Sequence, residues 1–145
     1  MRMARSLASA LVFLALSTGA ALAAPVPQQQ ERSFVIQFAP VPYTSQPQAA
    51  GAGAGRIVEA PNGTAVATAV GFRFRGLAPR GSYTVVSLGD VTGDGLPDAW
   101  PICNFVADDA GSGSCTTQLG PGQQLSSRIE LRAGAANGNT VLRTF

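Results

Sequence analysis

From Thr64 to Gly76 the chain alternates with a period of two. Val66, Thr68, Val70, Phe72 and Phe74 fall on one parity, and Ala67, Ala69, Gly71, Arg73 and Arg75 on the other. Successive side chains of a strand point to opposite faces, so this run is committed to a half-buried strand with aromatics inward and guanidinium groups outward. Arg73 and Arg75 then read as a solvated sheet face rather than a ligand site, and Gly71 as a place for a bulge or bend. The same period recurs in Ser33–Ala39, where Phe34, Ile36 and Phe38 share a face, and β-rich runs follow at Tyr83–Leu88, Cys103–Ala107 and Cys115–Leu119. Leu125–Arg132 places Leu125, Ser127, Ile129 and Leu131 on one face and Arg128, Glu130 and Arg132 on the other. Asn137-Gly138 is a turn signal before a last strand, Thr140–Phe145. No helical period is found after the first residues. The pattern predicts an all-β chain folded as a two-sheet β-sandwich.

The first residues have the layout of a secretory leader. Arg2 and Arg5 are followed by the uncharged apolar run Leu7–Leu22, and Ala21-Leu22-Ala23 supplies a small-x-small cleavage site, so a signal peptide is expected over residues 1–23. Pro25 and Pro27 close the run early for a membrane span, and no later stretch is apolar enough to cross a bilayer. Composition divides the rest. Residues 24–55 read as an unstructured start, one strand and a flexible Pro/Gln/Gly-rich connection, and residues 56–145 as the folded domain. Cleavage would leave about 120 residues, the size of one domain. Arg2 and Arg5 would leave with the leader, so eight arginines would face eight acids. A net charge near zero gives no electrostatic case for nucleic acid or a membrane surface. The absence of lysine fits a GC-rich, bacterial genome. The expected location is secreted, periplasmic or cell-surface.

The chain has no histidine, which removes Ser-His-Asp and Cys-His catalysis and most catalytic zinc or copper sites. Cys103 and Cys115 are its two cysteines. They flank the turn through Asp108–Gly113 almost symmetrically, and in an exported chain a disulfide between them, across a hairpin, is the default.

Asp90-Val-Thr-Gly-Asp-Gly-Leu-Pro-Asp98 concentrates the remaining chemistry. Asp90, Thr92, Asp94 and Asp98 put oxygen-bearing side chains at positions one, three, five and nine, with Gly95 at six. A hard cation such as Ca²⁺ takes oxygens from this layout. The same residues also suit an acidic glycine-rich turn without metal. The loop resembles the calcium loops of dockerins, of FG-GAP repeats and of thrombospondin type 3 repeats. That resemblance implies side-chain ligation by Asp90, Thr92, Asp94 and Asp98, a carbonyl ligand from Leu96 and a sharp turn at Gly95. Pro101 stands at position twelve, without the bidentate acid of an EF-hand, so the implied affinity is weak, ~10⁻⁴–10⁻³ M, and the role structural.

Leu77-Ala-Pro-Arg-Gly-Ser-Tyr83 resembles the L-x-P-x-x-x-Y turn of fibronectin type III and related domains. The resemblance implies an immunoglobulin-like sandwich in which Leu77 and Tyr83 are core positions, Pro79 fixes the turn and the tyrosine hydroxyl bonds back to the backbone.

Three function classes follow. The first is a secreted, non-catalytic β-sandwich module, calcium-stabilised, that binds an extracellular protein or polysaccharide or serves as envelope structure. The second is a small metal-dependent enzyme built on Asp90, Asp94, Asp98, Asp108 or Asp109. The third is an inhibitor or effector presenting a loop to a protein, with Trp100 as anchor, although core packing is the plainer use of Trp100. Asn62-Gly-Thr64 is a sequon of no weight in a bacterium. Phe145 ends the chain as aromatics end outer-membrane barrels, but the chain is short for eight ~10-residue membrane strands.

Overall fold

The computed structural model describes residues 28–89, 94–95, 98–121, 123 and 125–145. The leader expected over residues 1–23 lies outside them. The described residues form eight strands and no helix: β1 (Gln30–Pro40), β2 (Ala50–Glu59), β3 (Ala65–Arg75), β4 (Ser82–Gly89), β5 (Asp98–Val106), β6 (Gly113–Leu119), β7 (Arg128–Ala133) and β8 (Thr140–Thr144). No described helix is long and apolar enough to cross a membrane. Every pairing is antiparallel, in one sheet of order β5-β4-β7-β8-β1-β2-β3-β6.

The all-β expectation holds, and the layering differs. A single eight-stranded sheet curls until its edges, β5 and β6, lie side by side, nearly closing a barrel. The two-sheet immunoglobulin-like sandwich is replaced because β1 and β8 share three rungs, Phe38–Thr144, Ala39–Arg143 and Pro40–Leu142, which join what would be separate four-stranded halves. Both halves contribute to one core of Phe38, Phe72, Phe74, Tyr83, Leu131 and Leu142, among others. A run of rings crosses it, with centroid spacings of 5.3 Å for Phe38–Phe74, 5.4 Å for Phe74–Phe105 and 5.6 Å for Tyr83–Phe105. These spacings suit favourable aromatic contact.

Strand β3 follows its alternation, with Thr68, Val70, Phe72 and Phe74 buried and Ala67, Ala69, Arg73 and Arg75 exposed. Gly71 is no bulge: its register is continuous with Ala54 and Thr116, and the irregularity falls between Val58 and Glu59. The largest departure is β2. The Gly/Ala run expected to be a flexible connection is a strand, and the boundary at Gly55 lies inside it. A Cβ at Gly51 would stand 2.3 Å from the Phe74 ring, and one at Gly55 would stand 2.5 Å from Phe34. The glycines thus admit the rings of both neighbouring strands, while the alternate alanines face outward. Order also begins earlier than expected, with β1 starting at Gln30.

The disulfide is present, with Cys103 and Cys115 at a Cα separation of 6.0 Å. It does not cross a hairpin ladder. Strand β5 bonds to β4 and β6 bonds to β3, so the bridge spans the seam between the two sheet edges. Closing a loop of this length stabilises by about 3 kcal/mol in the chain-entropy view. Beside the seam, the Leu77–Tyr83 turn behaves as its resemblance implies. Leu77 and Tyr83 are buried, and the Tyr83 hydroxyl accepts from Ala78 N–H (3.0 Å) while donating to Gln46 Oε1 (2.9 Å).

Glu130, on the face of β7 shared with Arg128 and Arg132, is buried against its neighbours. Its carboxylate accepts from Arg132 Nε (3.0 Å), Arg132 Nη2 (2.9 Å), Arg128 Nη2 (3.2 Å) and Thr140 Oγ1 (2.9 Å). The eight strands are 5 to 11 residues long, and several are shorter than the ~10-residue membrane strands weighed against Phe145. The barrel is packed with Phe, Leu and Val inside and carries Arg56, Arg73, Arg75 and Arg143 outside, the reverse of a transmembrane barrel's polar lumen and apolar exterior.

Candidate ligand groove at one end of the barrel

Strand length sets up the site. β1 has 11 residues and its neighbour β8 has 5. Past the Phe38–Thr144 rung, β1 continues from Gln37 back to Gln30, paired with β2 alone among the described residues. On the other side of β8, Glu130 pairs with Arg143, so Ile129 and the preceding Ser127, Ser126 and Leu125 flank the line along which β8 would extend. Between these two walls lies a groove of about 660 Å³. Its apolar lining comes from Phe34, Ile36, Ile57, Leu125, Ile129 and Phe145.

The side chains that line the groove carry no net charge. Arg32 and Glu59 are the charged residues that line it, and they pair with each other at 2.6 Å on its rim. The polar groups of the far wall are occupied within the wall. Thr144 Oγ1 accepts from Ile129 N–H (3.0 Å) and donates to Ser127 O (3.0 Å), while Ser126 N–H donates to Ser87 Oγ (2.9 Å). The near wall is different. Val41 N–H donates to Val141 O, which fixes the odd-numbered residues of β1 as those whose backbone faces the β8 line. By the alternation of an antiparallel ladder, Ser33 and Val35 direct N–H and C=O toward the groove, Gln37 lies opposite Phe145, and Phe34 and Ile36 direct theirs toward β2.

The acidic loop joins β4 to β5 at this same end of the barrel. Asp90, Thr92 and Leu96 of the expected calcium set lie outside the described residues. Asp94 and Gly95 are exposed, and Asp98 opens β5 opposite Gly89. Gly95 has φ of 81°, the left-handed conformation that the sharp turn of such a loop requires. Asp108 and Asp109 sit past the far end of β5, roughly 30 Å away at the rise of a strand. Asp108 Oδ1 accepts from Ala110 N–H (2.9 Å) and Ser112 N–H (2.8 Å), and Asp109 pairs with Arg80. The four described acids of those considered for an enzyme, Asp94, Asp98, Asp108 and Asp109, are therefore divided between the two ends. Among the described residues no three His, Cys, Asp or Glu side chains converge on a metal position. Trp100 is half-buried on β5 opposite Ser87, rather than deep in the core.

Glu130 is the titratable group whose environment departs most clearly from water among those described. Burial acts to raise its pKa, but the hydrogen bonds from Arg132 and Thr140 and the charges of Arg132 and Arg128 outweigh burial and hold it below the ordinary 4.5. It alternates with groove-lining Ile129 and so faces the other side of the sheet. Its chemistry is structural.

No protein-family model, curated protein or solved structure matches this chain. The site must therefore be judged on its own geometry. Reading the sequence identified the strand carrying Phe34 and Ile36 and the apolar face of Leu125 and Ile129. It could not bring them together, because a groove made by a short strand between two longer walls depends on which strands are neighbours.

Proposed function

We propose that this chain is an exported, non-catalytic β-barrel module that binds an uncharged, apolar ligand at the groove end of its barrel, outside the cell or at its envelope. The supporting observation is the groove itself: about 660 Å³, lined by aliphatic and aromatic side chains, with its one charge pair mutually neutralised. Volume and lining both fall within the range of ligand sites. The leader-like first residues and a disulfide suited to an oxidising compartment support export. Ca²⁺ held by Asp90, Thr92, Asp94, Leu96 and Asp98 would brace the neighbouring loop, and the left-handed Gly95 fits that use. The ion would supply charge neutralisation to carboxylates crowded in nine residues and no reaction step. The enzyme reading is weaker because its described acids occupy opposite ends.

Titration with the neutral dye N-phenyl-1-naphthylamine tests the groove. Its fluorescence should rise on binding, and Ile57→Asp, which places a charge in the lining, should weaken binding by about tenfold or more. Equal binding by wild type and variant would overturn the assignment.

A further inference from the structure

We infer that the groove's ligand is an extended peptide strand, added antiparallel to β1 along the line left open by β8. This rests on the reading of the groove as a ligand site and narrows it to one chemical class. Three observations carry it. First, the opening has the position of a strand: in the sheet order β8 lies between β7 and β1, and no described residue pairs with Gln30 to Ile36 of β1 on the β8 side. The width between a strand's two neighbours is that of one strand, about 4.8 Å to either side. Second, five of the six residues from Arg32 to Gln37 of β1, all but Ser33, line the cavity. Both parities of a strand can line one cavity only if it runs along the strand's edge. That edge offers the N–H and C=O groups of Ser33 and Val35 in a regular row, which a featureless apolar molecule would leave unsatisfied. Third, the charged side chains of the groove, Arg32 and Glu59, pair with each other, so complementarity selects a strand whose inward residues are uncharged and apolar. Backbone pairing would supply affinity, and the pockets for alternate side chains beside Phe34, Ile57 and Leu125 would supply selectivity.

Val35 allows a clean test. Its side chain is 76% exposed, and its N–H faces the groove rather than β2, so Val35→Pro removes one donor without touching the core or the β1–β2 ladder. Val35→Ala keeps the donor and removes the side chain. The probe is an end-capped octapeptide alternating threonine and valine, titrated calorimetrically into the full exported chain. Val35→Pro should bind it about tenfold more weakly than Val35→Ala, or not at all, and the dye affinity of each variant separates loss of the donor from a change in the groove lining. Ser33→Pro, which faces the same way, serves as the second variant should Val35→Pro fail to fold. Equal peptide binding by the proline variants and wild type would overturn strand addition. So would dye binding without peptide binding, which would leave a small-molecule pocket. A concentration-dependent dimer lost in Val35→Pro would overturn it as well, making a second copy the occupant. Binding of neither probe would instead remove the ligand-site reading beneath it.

Discussion

Glu130 shows how much a single buried charge depends on its neighbours. Its side chain is 5% exposed, and its two oxygens are held by Arg128, Arg132 and Thr140. Replacing it by glutamine leaves Arg132, 18% exposed, facing an uncompensated site. Breaking a buried pair in this way costs about 3–5 kcal/mol. The pH dependence has a definite sign. A carboxyl whose folded pKa lies below its unfolded value of 4.5 stabilises the fold above that pH and loses the contribution as pH falls through the folded pKa. Denaturant melts of wild type and Glu130→Gln should therefore differ most near neutrality and converge below pH 4.5. A gap that stays constant through the acid range would show that the charge is not the cause.

Among the elements, the β4–β5 loop carries the metal proposal. Ca²⁺ bound to the native state alone must raise its stability, by about 2.7 kcal/mol at a hundredfold excess over the dissociation constant. Asp94→Ala should abolish the gain. Thermal unfolding with millimolar Ca²⁺ and with chelator reads it directly, and equal wild-type midpoints in the two buffers would leave an acidic turn. At this scale the sequence was legible wherever one face met the core and the other met water. β3 and the Leu77–Tyr83 turn follow from their residues because parity and turn chemistry are local properties. β2 was not legible. Glycine and alanine carry no apolar period, and Gly51, Gly53 and Gly55 belong in a strand because Phe74, Phe72 and Phe34 from adjacent strands fill the space above them. That is a tertiary fact. The disulfide pairing was readable from two cysteines, but its place across a seam was not, since sequence proximity suggests a hairpin where the chain instead crosses between sheet edges.

For the whole molecule, the same sheet is closed in one place and open in another. The seam between β5 and β6 is stapled by Cys103–Cys115 and spanned inside by the Phe74–Phe105 stack. The gap beside β1 has no such closure among the described residues. Exposed strand edges invite pairing, and proteins ordinarily cover or disrupt them. Here the edge is flanked by apolar side chains at the barrel end that also carries the acidic loop. An open strand position there is the feature from which the proposed binding follows. Amide hydrogen exchange along β1 in the ligand-free protein tests it most directly. Phe34 and Ile36, bonded toward β2, should exchange slowly, whereas Ser33 and Val35, directed into the groove, should exchange rapidly. Uniform slow exchange from Ser33 to Ile36 would mean that the protein fills this position itself, and would contradict the account.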